Sequence, residues 1–145
     1  MSVIVVDDHL LGDIIGDMIP KPLSVLLRRN DVATTNLYYF RLCRAALTGR
    51  GGVLTGLWSL ERKQQAIRSL TALPRDIGVV PMQALSFRMA ELARDHHLSA
   101  LGAEAVAAAE AAGGRLCVWE GDDGPNIRSS CATLGVSYST ISREQ

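Results

Sequence analysis

Asp7 and Asp8 stand directly after four consecutive β-branched residues, Val3 to Val6. A run of that kind is the mark of a strand buried on both faces, as in a parallel sheet. Carboxylates at the mouth of such a strand are where a ligand is expected, because open α/β sheets bind at the carboxyl ends of their strands. A second acidic group, Glu120, Asp122 and Asp123, follows another strand-like segment, Arg115 to Trp119. If those two strands are neighbours, five carboxylates meet on one rim. Like charges this close repel unless a cation neutralises them, and an all-oxygen donor set suits Mg²⁺ or Mn²⁺. Asp7 is the presumed site residue. Asp8 reads equally as a cap on the following helix, and Asp122-Asp123-Gly124-Pro125 reads equally as a turn.

A different chemistry is suggested by TTNLYYFRLCR, residues 34–44. Tyr38 with Arg41 and Arg44 would make a stacking and phosphate-binding surface for nucleic acid. Against this, Leu37, Phe40 and Cys43 to Ala46 also read as the buried stripe of a helix. Of the fifteen basic residues thirteen are Arg, but fifteen acidic residues balance them, so net charge points to no nucleic-acid or membrane partner. Cys43, Cys117 and Cys131 have neither CxxC nor His-paired spacing. They suggest no zinc site and no disulfide framework, and Cys43 and Cys117 are expected to pack as small hydrophobes.

The elements that must position these groups follow from periodicity. The chain has 145 residues, 48% apolar and 21% charged, which suits one globular domain over 1–145. Helices are expected over His9–Met18, Pro22–Arg29, Asn36–Thr48, Leu60–Leu73, Pro81–Asp95 and Ser99–Ala112, and from near Asn126. Ser99 is the cap of the sixth, and Gly113-Gly114 its stop. Strands are expected at Val3–Val6, Val32–Thr34, Ile77–Val80, Arg115–Trp119 and Gly135–Thr140, with Gly49 to Gly56 a loop. Strands alternating with helices predict a three-layer α/β/α fold around a mainly parallel sheet of about five strands. No apolar run approaches a membrane span, and no leader pattern precedes the first strand, so a cytoplasmic protein with no membrane partner is expected.

Three stretches are similar to known families. VIVVDDH looks like the opening of a response-regulator receiver domain. Residues 32–75 contain no Asp to accept a phosphoryl group, however, and Lys21 and Lys63 are the only lysines. That reading fails on both counts. CATLGVSYSTISRE, residues 131–144, is similar to a helix-turn-helix segment, which makes a DNA-binding protein a minor alternative. The third likeness runs nearly the whole length. VIVVD, the IGVVP strand at Ile77–Pro81, LSALGAEA at 98–105, AAAEAAGGRLCVWEGD and the closing LGV pattern stand in the order of a PIN domain, the fold of VapC-type toxins and ribonucleases.

That resemblance implies Mg²⁺ or Mn²⁺ held by carboxylates and a water activated for attack on an RNA phosphodiester. It implies catalytic roles for Asp7, Glu104, Glu120 and Asp123, and metal ligation by Asp7, Glu120, Asp122 and Asp123. It also implies an RNA substrate, an antitoxin-like protein partner and a homodimer. The sequence departs from the pattern at two acidic positions. The family's helix Glu falls on Arg41, and no acidic residue lies between Asp31 and Glu61. The Asp of the LSAYDA-like motif falls on Gly102, with Glu104 two residues later. A degenerate PIN-like module that binds RNA or protein without cleaving is therefore the alternative reading.

Overall fold

The structure, a computed structural model, describes residues 2–48 and 59–143. Its elements alternate along the chain: β1 Ser2–Val6, α1 Asp8–Ile15, α2 Lys21–Arg29, β2 Asn30–Thr35, α3 Asn36–Thr48, α4 Leu60–Ser69, β3 Ile77–Val80, α5 Met82–His96, α6 Ala100–Ala112, β4 Arg115–Trp119, α7 Pro125–Leu134 and β5 Ser137–Ile141. The five strands form one sheet in the order β3-β2-β1-β4-β5. Every pairing is parallel. This is a three-layer α/β/α fold, and β1 lies at its centre beside β4, with Val6 opposite Cys117.

Alternation along the central strands divides the core. Ile4, Val6, Cys117 and Trp119 face one side, with Leu10, Leu11, Leu23, Leu42 and Leu70 from α1–α3 and the C-cap of α4. Val5 and Leu116 face the other, with Leu85 and Leu92 of α5, Cys131 of α7 and the Ala103–Ala109 run of α6. The small side chains of α6 let it lie close on the sheet. Where it ends, Gly113 takes the left-handed φ of +60° that a C-cap requires. Gly114 follows, and there a Cβ would lie 2.4 Å from the Val3 carbonyl oxygen, so no side chain fits between α6 and β1. Cys117 and Cys131 are buried and Cys43 is half-buried, all as free thiols, with burial pushing Cys117 and Cys131 up to about 11.

The segment after α7 is the parallel strand β5, paired with β4 from Ser137 to Ile141, so the described part of the expected segment, residues 131–143, does not form a helix-turn-helix. Phe40 is 58% exposed and does not belong to the buried stripe of α3, which is carried by Tyr38, Leu42 and Ala46. Leu60 stands exposed in the first turn of α4, and Leu70 and Leu73, expected in the helix, lie beyond its end and still pack on the core. The loop expected at Gly49 to Gly56 lies outside the described residues.

Candidate functional site

The chain leaves β1 at Val6 and turns at once into α1, and Asp7 makes the turn. Its backbone is extended (φ −77°, ψ −178°), and its Oδ1 accepts the Leu10 N–H at 2.9 Å. This is an N-cap in geometry and partner. The expectation had Asp8 as the cap; the structure gives that place to Asp7 and puts Asp8 inside the first helical turn. The reason is local. The residue whose backbone is still extended has its side chain beside the free N–H groups, whereas the next one already points away along the helix.

Asp7 is 4% exposed. Burial pushes its carboxyl up to about 7; the Leu10 N–H pulls it down, Asp8 and Asp122 push it up further, and His9 pulls it down. The Asp8 carboxylate meets Arg41 of α3, with Arg41 Nε 3.5 Å from Asp8 Oδ2. Arg41 thus pairs with the second aspartate and not the first.

The rim continues past β4. Glu120 is exposed, and its N–H donates to the Ile141 carbonyl at 2.8 Å, so it extends the β4–β5 ladder. Asp122 turns back, with its N–H on the Trp119 carbonyl at 3.0 Å and its Oδ2 accepting from Arg143 Nη2 at 3.1 Å. Asp123 accepts from Arg128 Nη1 at 2.8 Å and from the Tyr138 hydroxyl. Burial, then the hydrogen bond to Asp123, pushes the Tyr138 hydroxyl well above its usual range.

Glu104 is wholly buried in α6, and its work there is to hold another helix. Oε1 accepts the Leu37 N–H at 2.8 Å, and Oε2 accepts the Asn36 N–H at 3.2 Å and Asn36 Nδ2 at 3.3 Å. These are unsatisfied donors at the start of α3, where the helix dipole also favours a carboxylate. Asn36 Nδ2 reaches the Val80 carbonyl at 3.0 Å as well, so one cluster ties the ends of β2 and β3 to α6. Gly102, at the other vacant acidic position, has Ile127 Cγ1 3.2 Å from where a Cβ would stand. A larger residue there would have to move Ile127.

Of the residues considered for nucleic acid, Tyr38 is 4% exposed in the core beside Val5 and Leu116, while Arg41 and Arg44 are exposed. Asp13 is the residue that the sequence reading passed over. It lies on the buried face of α1 at helical spacing from Leu10, which is the signal that an acidic residue was being taken inside. Its Oδ2 accepts the Trp119 indole N–H at 2.7 Å, and Arg143 Nη1 stands 3.6 Å away. Burial raises its carboxyl, with the Trp119 hydrogen bond and Arg143 opposing.

The sheet order therefore brings Asp122 within reach of the charge of Asp7, which also feels its neighbour Asp8, while Glu104 is committed to α3 and Asp123 to Arg128 and Tyr138. Among the described residues no three Asp, Glu, His or Cys side chains form a group that would hold a metal ion. The donor set does not fit Mg²⁺ or Mn²⁺ as it stands. Asp8, Asp122 and Asp123 already carry arginines, and Asp7 is buried beneath its own helix N-terminus.

No family profile matches the sequence, and no curated protein does. Solved structures that resemble the fold include the following two. One is a toxin–antitoxin complex from Klebsiella pneumoniae, with a TM-score of 0.54 and 14% identity over 84% of this chain and 92% of that one. The other is PAE2754 from Pyrobaculum aerophilum, with a TM-score of 0.59 and 15% identity over 98% of this chain and 92% of that one. The chain shares their fold. Among the described residues no helix is long and apolar enough to cross a membrane.

Proposed function

We propose that this chain is a PIN-like domain of toxin type whose acidic rim is closed by its own arginines, and that it works by holding an antitoxin-like protein partner and not by metal-dependent hydrolysis. One observation carries the reading: Arg41 on Asp8, Arg143 on Asp122 and Arg128 on Asp123 occupy three rim carboxylates, two of them, Asp122 and Asp123, among the four expected to ligate a divalent ion. A guanidinium beside a carboxylate supplies the neutralising charge that would otherwise come from the metal. The likeness to a toxin–antitoxin complex supports a protein partner. So does the outer face of α3, where Phe40 and Leu47 are exposed at 58% and 77% with Arg44 between them. Exposed aromatic and arginine side chains together are typical of a protein interface.

A second reading, Mg²⁺- or Mn²⁺-dependent cleavage of RNA, draws on one observation: the Asp7 carboxyl feels the charges of Asp8 and Asp122, a crowding that a divalent ion would relieve. Incubating the purified protein with a mixed RNA pool and Mn²⁺ separates the two. The expected outcome is no cleavage above the buffer control. Cleavage that EDTA abolishes and Asp7→Asn removes would establish the second reading and overturn the first.

A further inference from the structure

Beside the rim, between the end of α1 and the segment after β5, lies a cavity of about 380 Å³. That is within the size range of small-ligand sites. Its lining combines two chemistries. Met18, Ile19 and Pro20 supply an apolar wall, and Asp13, Asp17 and Trp119 supply carboxylates and an aromatic ring. Arg143 lies across this second part, 4.7 Å above the Trp119 ring and 3.6 Å from Asp13 Oδ2. It is itself 53% exposed, so little holds it there but the ring and the two acids, Asp13 and Asp122.

The deciding detail is Asp13. The side chain is 4% exposed, yet only Oδ2 is engaged; Oδ1 is buried without a hydrogen-bond partner. A buried carboxylate oxygen left unpaired is costly, and an N–H donor carrying positive charge would relieve that cost while keeping the group ionised. Three carboxylates face one arginine here, so an anion would be repelled. An aromatic face next to carboxylates, with an aliphatic wall alongside, fits a cation on an alkyl stem.

We propose that this cavity binds a linear alkyl cation, an alkylguanidinium or alkylammonium, whose stem lies along Met18, Ile19 and Pro20 and whose head displaces Arg143 from Trp119 to donate to Asp13 Oδ1. Arg143 is the chain's own occupant of the head position and competes with the ligand. The site adjoins the rim described above and shares Arg143 with it, while its test reads the Trp119 indole directly, whether that rim holds a metal or a partner. The same head is found on small diffusible cations and on basic side chains of polypeptides.

The test follows the Trp119 indole N–H resonance, told apart from that of Trp58 by Trp58→Phe, during titration with agmatine and, in parallel, with an uncharged-backbone peptide bearing a single arginine. A saturable shift is expected with at least one of them. Agmatine binding as well as the peptide identifies a small cation as the source, and a clear preference for the peptide identifies a polypeptide. Arg143→Ala removes the competitor and should tighten binding by about fivefold, the worth of one surface ion pair. Asp17→Asn, which suits the left-handed backbone at Asp17 (φ +59°), should weaken it by about threefold. Absence of any saturable shift at millimolar probe, or an Arg143→Ala protein that binds equally or more weakly, would overturn the proposal.

Discussion

Asp7 carries two opposed demands. Its side chain is wanted at the start of α1 as a hydrogen-bond acceptor, and its burial resists the charge that makes it a good one. A carboxyl whose folded-state value is raised from 3.8 to about 7 binds its proton more tightly in the folded chain than in the unfolded one. Its contribution to stability is therefore full below about pH 4 and is lost as pH rises through 7. We expect a denaturation midpoint higher at pH 5 than at pH 8, with Asp7 accounting for roughly 2 kcal/mol or more of the difference. Asp7→Asn keeps the capping oxygen and should remove that share, leaving a slope of the same sign from Asp13; denaturant melts of both proteins at the two pH values check this. Arg41 offers a second test at this scale. Arg41→Glu replaces the cation beside Asp8 with a third carboxylate, and calorimetric titration should then show Mn²⁺ binding that the parent chain lacks.

The elements show why some of this was readable in advance and some was not. The bounds of β3 and β4 follow the sequence because each is set locally: Gly113 ends α6 in a left-handed turn just before β4, and Pro81 ends β3 and opens α5 as its N-cap. Ser99 caps α6 as its position suggested. The choice between Asp7 and Asp8 as the cap was not readable, since both precede the helix and only the backbone angles at the turn decide. Nor was the role of Glu104, because its partners lie 67 and 68 residues away. The resemblance to PIN domains made Glu104 a candidate catalytic residue; the fold makes it the clasp between α6 and α3. Glu104→Ala leaves the half-buried Asn36 and Leu37 N–H groups without that partner, and should cost about 2–4 kcal/mol. Glu104→Gln, which keeps an acceptor, should cost less, and thermal melts would rank the three proteins. Phe40 went the other way: periodicity put it inside, but α3 presents it to solvent on the face that carries Arg44.

At the scale of the whole molecule, the strand order β3-β2-β1-β4-β5 makes the rim. Placing β4 against β1 brings Asp122 close enough to raise Asp7, and placing β5 beyond β4 brings Arg143 back to Asp122 and Tyr138 to Asp123. The same topology that gathers the acids thus also delivers their arginines, from α3, from α7 and from the segment after β5. Equal numbers of basic and acidic residues across the chain fit such internal pairing, though composition alone never located it. The central claim is that this rim is closed to divalent ions. Calorimetric titration of Mn²⁺ into the wild-type protein tests it most directly. The account predicts no heat beyond dilution; saturable binding near one ion per chain that disappears in Asp7→Asn would contradict it.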